Sequence, residues 1–372
     1  MMLDPSMKIL IVSAALGVGG AEVVATTLAT TAAAEGHDVC IASGPGHHVD
    51  RLGAAGVAHV SLRTVGRNPI DLLRSAARLR RLPLPDVVHA HNPKAAVVCR
   101  LAFGHRVPIL TTLHGVAAAE SAAAARLLAW ASDHVVAVSP HLADDLVRHG
   151  FPPWRVQVVT NGIAPPPSHD RAAARAELGL APDAVVALCP ARLVNQKRHD
   201  LLLEAWAAQP RPATLLLAGD GPHRQRIVDT VARLELGPSV QILGDRTDIP
   251  RLLAASDVVA LATDWEGLPI SLLEAMAAGV PIVASRVGGI VEHLGDAVHL
   301  VEPGSAPALA AGLTDLIGDP HLRSDLAARG RALVTDRFGV DRMVDRYRAI
   351  YRELPADPAG RPALIATSGD KS

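Results

Sequence analysis

Residues 262–285 read ATDWEGLPISLLEAMAAGVPIVAS, which predicts a helix followed by a buried strand. Pro269 suits the first turn of a helix, where its missing N–H costs nothing. The helix is predicted over 270–278, and Gly279 ends it because glycine readily adopts the left-handed conformation found after helices. The apolar residues 280–284 then form the strand.

The same stretch carries two carboxylates, Glu266 just ahead of the helix N-terminus and Glu274 on the helix itself. A fully helical segment would separate them by about 12 Å. That spacing suits a ligand with hydroxyl groups at both ends and an anion in the middle. The free N–H groups and the positive dipole end of the helix would hold the anion. Two solvated surface carboxylates are the alternative interpretation.

The rest of the chain alternates short apolar strands with helices, which predicts an α/β fold with parallel sheets covered on both faces. The strand predicted over 8–13 leads into a glycine-rich turn, the layout of a phosphate-binding βα unit. A Rossmann dehydrogenase would need an acidic residue closing the second strand, whereas 39–43 runs into Gly-Pro-Gly. Residues 164–168, APPPS, form the clearest linker, so two Rossmann-like domains are expected.

Bulk composition narrows the functional class. The 372 residues carry a net charge of −1 and 2% aromatic residues, which indicates neither a basic surface nor stacking platforms for nucleic acid. Cys40, Cys99 and Cys189 have no metal or redox spacing, and the N-terminus does not resemble a signal peptide. We expect a cytoplasmic protein with reduced cysteines that binds no nucleic acid.

Polar residues follow several predicted strands, at the edge where open α/β sheets bind ligands. His91, Asn92 and His114 do so in the first half, although a lone histidine at such a place is more often structural. Arg192 and Lys197 do so in the second half, where two cations could neutralise a diphosphate leaving group. The chain has no Asp-x-Asp pair and no His/Asp/Glu cluster with ligand spacing, so we expect neither a metal nor a cofactor.

Taken together, these motifs resemble the retaining glycosyltransferases of family 4, which have the GT-B fold. The resemblance covers most of residues 8–353, and its motifs occur in the family's order: GGAE at 19–22, LHG at 113–115, R-x4-K at 192–197, G-x-G-P at 219–222 and E-x7-E at 266–274. The set is far more specific than any one member. Two departures are Ala191, where many members have Gly, and Thr263-Asp264-Trp265 before the first Glu.

The resemblance implies that a hexosyl group of glucose, N-acetylglucosamine or mannose type moves from a nucleotide diphosphate sugar to an acceptor hydroxyl with retention. UDP is the first expectation for the nucleotide, on family frequency. The residues given a catalytic role are His114, Arg192, Lys197 and Glu266. Those expected to bind the donor are Gly19, Gly20, Gly219, Arg246, Gly267, Leu268 and Glu274. His91 and Asn92 are placed on the acceptor side.

The domain organisation implied by the resemblance has four parts. They are an acceptor-binding domain at 7–163, a nucleotide-sugar-binding domain at 164–340, a C-terminal helix at 341–353 that crosses back to the first domain, and a tail at 354–372. The tail is poor in large apolar residues, so it is expected to be disordered. Closure over the interdomain cleft would expel water and align the acceptor.

Two functions from other classes stay open. One is an NDP-sugar epimerase of the same architecture, which would show no acceptor dependence. The other is a non-catalytic sugar-nucleotide binding protein, against which the intact Arg192 and Lys197 argue. For a transferase, the acceptor could be an aminocyclitol or other natural-product core, a lipid-linked sugar or an inositol derivative. The sequence does not specify the oligomeric state.

The segment 67–82 is basic and amphipathic, with arginines at Arg67, Arg74, Arg78, Arg80 and Arg81. Some family members dock on membranes with such a helix, which would place this protein peripherally at the inner face of the membrane. A solvated helix face is the alternative interpretation.

Overall fold

The computed structural model describes residues 6–17, 19–47, 49–62, 68–210 and 212–354. Contacts group the described residues into two compact units: the first takes those of 1–17, 21–160 and 344–354, and the second those of 18–20 and 161–343. Arg67 and all of the predicted tail beyond Leu354 lie outside the described residues.

The first unit is built on a sheet of seven parallel strands in the order β3-β2-β1-β4-β5-β6-β7. The strands are β1 (Lys8–Val12), β2 (Asp38–Ser43), β3 (Ala58–Ser61), β4 (Val87–Ala90), β5 (Ile109–Leu113), β6 (His134–Ala137) and β7 (Val156–Val158). The central strands β4, β5 and β6 are buried at every position. Mainly apolar runs form such strands because helices cover both faces of a parallel sheet, and His89, Thr111, Thr112 and His134 are the buried polar exceptions in these three.

The helices of the first unit follow their strands, and three of them begin after a side-chain cap. The helices are α1 (Gly20–Ala34), α2 (Val49–Ala54), α3 (Pro69–Leu79), α4 (Pro93–Phe103), α5 (Ser121–Ala131) and α6 (Pro140–Arg148). Asn68, Asn92 and Ser139 cap α3, α4 and α6 through side-chain oxygens that accept a backbone N–H, and a proline follows each cap. The Ser139 cap was predicted from the sequence.

The second unit is built on six parallel strands in the order β10-β9-β8-β11-β12-β13. They are β8 (Val185–Pro190), β9 (Ala213–Ala218), β10 (Val240–Gly244), β11 (Val258–Leu261), β12 (Ile282–Ser285) and β13 (His299–Val301). Its helices are α7 (Arg171–Glu177), α8 (His199–Ala207), α9 (Arg224–Arg233), α10 (Ile249–Ala255), α11 (Ile270–Ala278), α12 (Gly288–Leu294), α13 (Ala306–Gly318) and α14 (Pro320–Arg337). A last helix, α15 (Val340–Glu353), belongs to the first unit from Val344 onward.

The expected α/β architecture with two Rossmann-like parallel sheets is confirmed. In each sheet the strand order reverses direction once, between β1 and β4 in the first unit and between β8 and β11 in the second. Ligands of open α/β sheets bind outside the carboxyl ends of the strands at such a switch point. We therefore expect ligand-binding residues in the loops that follow β1, β4, β8 and β11.

The stretch at 262–285 folds nearly as predicted. Helix α11 has the predicted bounds, and Gly279 follows it with φ 72° in the left-handed region. Pro269 is the residue before the helix rather than its first residue. The following strand starts at Ile282, two residues later than predicted, because Val280 N–H closes the helix on Ala275 O.

Helix α3 is shorter than the predicted basic segment, which ran to residue 82. It exposes Ile70 and Leu73, at 53% and 60%, next to the exposed Arg74. Arg80 instead donates hydrogen bonds to the carbonyl oxygens of Leu101 and Ala102. Contact of α3 with a membrane stays a prediction.

Candidate active site

The loop that carries Arg192 and Lys197 leaves β8 at the switch point of the second sheet. Two glycines after β9 let the backbone of this loop approach closely. A Cβ at Gly219 would lie 2.2 Å from Ala191 O, and one at Gly221 would lie 2.5 Å from Leu193 O. Gly219 also has φ +154°. The G-x-G turn therefore holds the cationic loop in place.

Lys197 and Glu266 form an ion pair in the second unit. Lys197 Nζ donates to Glu266 Oε1, and both side chains are buried, at 12% and 8% exposure. An ion pair of this kind neutralises two charges that would be costly to leave alone. Arg192, by contrast, is exposed, and its side chain has no hydrogen bond or ion pair within the described part of the chain. Of the two predicted cations, Arg192 is thus the one without a protein partner.

Two polar side chains that sequence reasoning missed also hold Glu266. Thr263 Oγ1 lies 2.8 Å from Glu266 Oε1, and Gln196 Nε2 lies 3.5 Å from the same oxygen. Gln196 also donates to Trp265 O at 2.7 Å. Gln196 sits inside the R-x4-K spacing at a position the motif leaves unspecified, so its partner could not be read from the sequence.

The backbone between the two carboxylates is held from both sides within the second unit. Asn161, 3% exposed, donates its Nδ2–H to Leu268 O at 2.8 Å. Gly289, at the start of α12, packs so closely that a Cβ there would lie 1.6 Å from Gly267 O. The loop at 266–269 is therefore fixed immediately before α11.

Helix α11 begins without a side-chain cap, so its first N–H groups are available to an anion. Glu274 lies one turn further along the helix, and its carboxyl has no hydrogen bond or ion pair to any described residue. Burial raises the pKa of its carboxyl to about 7. A carboxyl with no protein partner in such a place can accept hydrogen bonds from ligand hydroxyls.

The remaining predicted donor-side residues lie near these elements. Arg246 follows β10 and donates two hydrogen bonds to Asp248, at 2.7 and 2.6 Å, so its side chain is already occupied. Gly19 lies in a bend and Gly20 begins α1, and both group with the second unit. A Cβ at Gly20 would lie 3.0 Å from Ile270 Cγ1, at the start of α11.

In the first unit, His91 and His114 come together. His91 follows β4, His114 follows β5, and His91 Nδ1 lies 3.1 Å from His114 Nε2. Burial lowers the pKa of His114 to about 4 and that of His91 well below its ordinary value, so both rings are neutral at pH 7. Asn92 Oδ1 accepts Ala95 N–H at 2.8 Å as the cap of α4, which leaves its amide N–H groups available.

A buried polar cluster lies beside these two histidines. His89 Nδ1 is 2.6 Å from the Tyr351 hydroxyl, and His89 Nε2 is 2.7 Å from Thr112 Oγ1. Thr112 Oγ1 is also 2.8 Å from the Tyr347 hydroxyl. Both tyrosines come from α15, so this helix ties the last described residues to the centre of the first sheet. No motif in the sequence pointed to this cluster.

Within each unit the candidate residues share one electrostatic character, cationic and anion-accepting in the second unit and neutral in the first. The second unit supplies Arg192, Lys197 and the uncapped start of α11, and the first unit supplies two neutral histidines. Within the described ranges, no three His, Cys, Asp or Glu side chains are grouped so as to hold a metal ion. None of the helices in the described part of the chain combines the length and apolar character needed to cross a bilayer.

Family models match both halves of the chain. The model described as Glycosyltransferase Family 4 matches residues 18–165, and the model described as Glycosyl transferases group 1 matches residues 170–333.

Curated relatives extend this similarity. The chain is 29% identical to an N-acetyl-alpha-D-glucosaminyl L-malate synthase of Bacillus anthracis, over 91% of this chain and 95% of the relative. It is 31% identical to a D-inositol 3-phosphate glycosyltransferase of Salinispora arenicola, over 76% of this chain and 72% of the relative.

Solved structures share the fold. The chain is similar to HepE of Anabaena, whose structure in complex with UDP-glucose aligns with a TM-score of 0.82 and 25% identity, over 94% of this chain and 100% of that one. The glycosyltransferase WaaG, involved in lipopolysaccharide biosynthesis, aligns with a TM-score of 0.77 at 19% identity over 92% of this chain, which shows the fold alone.

Proposed function

The chain belongs to the group 1 glycosyltransferases of family 4, with the GT-B fold and a sugar-nucleotide donor, and from this we propose that it is a retaining hexosyltransferase that uses a UDP-sugar. The transfer of a hexose, the use of UDP as the nucleotide and the retention of configuration are what we propose beyond family membership. The UDP-glucose bound by HepE supports the choice of UDP.

The observation that carries the proposal is Glu274. Its buried carboxyl lacks a partner among the described residues, and it lies on the helix whose uncapped start can bind an anion. A ribose offers two adjacent hydroxyls to such a carboxyl, while the diphosphate meets the helix N-terminus. One helix would thus bind two parts of a nucleotide diphosphate.

We propose that Arg192 and Lys197 stabilise the charge that builds on the leaving diphosphate. Arg192 has no protein partner to give up, and Lys197 has two further N–H groups besides the one directed at Glu266. The sugar would lie beside Glu266, with His114 of the first unit as a further hydrogen-bonding group. The departing phosphate would take the proton of the acceptor hydroxyl, so that attack occurs on the face it leaves.

For the acceptor, we propose a small acid that carries a free hydroxyl group. The names of two relatives contain L-malate and D-inositol 3-phosphate, and both are small anionic compounds with hydroxyl groups. L-malate and inositol 3-phosphate should be tested first as acceptors. Uncharged cyclitols and lipid-linked sugars should follow.

The experiment that tests the proposed function incubates the purified protein with UDP- and GDP-hexoses and the acceptor set, and detects transfer by mass spectrometry. The anomeric configuration of the product is then read by proton NMR. An α-linked product from an α-linked UDP-hexose supports retention, and a β-linked product contradicts it.

Reactions without and with acceptor distinguish the two other functions from a transferase. An epimerase would convert the sugar nucleotide alone, and a binding protein would bind UDP-hexose yet release no UDP with any acceptor. Either result would overturn the proposed transferase activity.

A further inference from the structure

Three histidine rings lie in a row at the switch point of the first sheet. The ring centroids of His89 and His91 are 4.2 Å apart with planes inclined by 35°, and those of His91 and His114 are 5.4 Å apart with planes inclined by 19°. His89 is tied at both nitrogens, by Tyr351 and by Thr112. The middle ring, His91, is therefore held between a fixed neighbour and His114.

The contact between His91 and His114 requires a defined proton position. Each neutral imidazole carries one N–H and one bare nitrogen. Because His91 Nδ1 and His114 Nε2 lie 3.1 Å apart, one of them donates and the other accepts. Two arrangements are possible. In each of them one of the two nitrogens outside this bond, His91 Nε2 or His114 Nδ1, carries a proton, and the other is bare.

The environment of His91 favours one arrangement. Its Nε2 is buried and has no hydrogen-bond partner among the described residues, and the whole residue is 2% exposed. If His91 accepted from His114, this Nε2 would carry an unpaired N–H. If His91 donates, Nε2 is left with only a lone pair. Among buried backbone groups, unpaired N–H donors are rarer than under-satisfied acceptors, and the same cost applies to a ring N–H.

We propose that His91 is a positioning residue that donates its Nδ1–H to His114 Nε2 and so fixes the ring proton of His114 on Nδ1. His114 Nδ1 makes no hydrogen bond to any described residue, and the side chain is half-buried. It then presents an N–H that can donate to a substrate oxygen, in a ring whose orientation is held by stacking and by the His91 bond.

This role differs from the acceptor-side role that the sequence suggested for His91. Since His91 Nδ1 is directed at His114, His91 acts through its neighbour. The effect on turnover rests on the proposed function, because it needs His114 to touch the substrate. The position of the proton does not depend on that function.

The proton position is measured directly on the wild-type protein. Histidine labelled with ¹⁵N gives ring-nitrogen shifts that separate protonated from bare nitrogens, and a His114→Gln variant assigns the resonances. We expect His114 to carry its proton on Nδ1 as a single form. A His114 proton on Nε2 would overturn the proposal, whatever the catalytic activity.

Substitution of His91 tests the positioning. In His91→Leu we expect mixed tautomers of His114, kcat lower by about fivefold to tenfold, and a donor KM within about twofold of wild type. His91→Asn should recover most of the turnover, because its amide N–H can donate from nearly the place of Nδ1. Unchanged tautomer and kcat in folded His91→Leu would contradict the proposal.

A matched control addresses the loss of a buried histidine as such. His134, at the start of β6 in the same unit, is 5% exposed and also has an unpaired Nε2. His134→Leu should leave the His114 tautomer unchanged. If no sugar nucleotide is turned over at all, the proposed function fails while the NMR result on His114 still stands or falls by itself.

Discussion

At the scale of single residues, the proposed binding of the donor nucleotide depends most on Glu274. Its carboxyl has a pKa raised to about 7 by burial and no partner among the described residues. Ligand hydroxyls that donate to the carboxylate favour the ionised form, so binding and ionisation are coupled. Donor affinity should therefore be higher at a pH where Glu274 is ionised than at a pH where it is protonated.

Glu274→Ala should weaken binding of a UDP-hexose by about tenfold or more, because a hydrogen bond to a charged acceptor contributes about 1.5–3 kcal/mol. For the wild type, affinity should fall about tenfold from pH 8 to pH 6, since Glu274 becomes protonated below pH 7 and binding requires the carboxylate. Calorimetry at several pH values measures both effects. Glu274→Gln should bind with little pH dependence, and equal affinity of Glu274→Ala and wild type would remove Glu274 from the site.

Glu266 and Lys197 lead to a prediction with opposite effects on turnover and binding. Glu266→Ala removes a group proposed to touch the sugar, so kcat should fall by at least about a hundredfold. The same change frees the Lys197 charge for the diphosphate, so free UDP should bind as tightly as before or more tightly. Glu302→Ala, an exposed carboxylate of the same unit, is the control. Parallel losses of kcat and UDP affinity would contradict this assignment.

His114→Ala should likewise lower kcat far more than it changes UDP affinity, because His114 is placed beside the sugar rather than the nucleotide. Steady-state kinetics and UDP titration on one preparation give both values. A His114→Ala protein with the turnover of the parent would show that His114 is a structural residue of the first sheet.

Spacing in the sequence predicted where the site residues lie but not which of them pair. The R-x4-K and E-x7-E spacings placed Arg192 and Lys197 after a strand, Glu266 just before a helix and Glu274 on that helix, and the structure has them there. The spacing could not show that Lys197 pairs with Glu266 while Arg192 is left alone. Such partners come from elements far apart in the chain, and only the packed sheet brings them together.

At the scale of elements, glycines determine how closely the loops of the site can pack. Gly289 at the start of α12 lies against the backbone of 266–267, and Gly219 lies against that of Ala191. Both contacts involve backbone atoms, which cannot swing away as a flexible side chain can. A methyl group at either position must therefore move a loop that carries a site residue.

Gly289→Ala should destabilise the protein by roughly 1–3 kcal/mol, the usual cost of overpacking, and should lower turnover because the loop with Glu266 has to shift. Urea unfolding and initial rates measure the two effects. Gly237→Ala, where an added Cβ meets nothing within 4 Å, should stay within about 0.5 kcal/mol of wild type. A Gly289→Ala protein as stable and active as Gly237→Ala would contradict the close packing.

Element boundaries were predictable where the chemistry is local. Gly279 after α11 and the Ser139 cap of α6 are examples, because each is decided by one residue and its neighbours. Helix α14 and strand β13 were not predicted. The apolar residues of α14 are weakly spaced and β13 has only three residues, so packing against other elements decides both. The polar cluster of His89 with Tyr347 and Tyr351 spans more than 250 residues of sequence and leaves no local signal.

At the scale of the whole molecule, both units place their candidate residues by the same rule. The sheet order reverses once in each, and polar residues follow the strands at the reversal: His91 after β4, Arg192 after β8 and Glu266 after β11. The order of motifs along the chain was therefore enough to predict the fold class. The donor sugar, the acceptor and the oligomeric state depend on contacts that no motif encodes.

We propose that protein cations and the start of α11, rather than a metal ion, stabilise the charge on the leaving diphosphate. Removing one positioned group for developing charge typically lowers kcat by about 10²–10³. Arg192→Ala and Lys197→Ala should each show such a loss. Arg192→Lys should recover only part of it, because a point charge does not reproduce the guanidinium fork.

The most direct measurement is the initial rate of wild type and these three variants, with and without excess chelator. We expect the wild-type rate to be nearly unchanged by the chelator while the two alanine variants are slow in both conditions. Complete inhibition of wild type by the chelator, reversed by magnesium or manganese, would show that a metal stabilises the leaving group and would contradict the account.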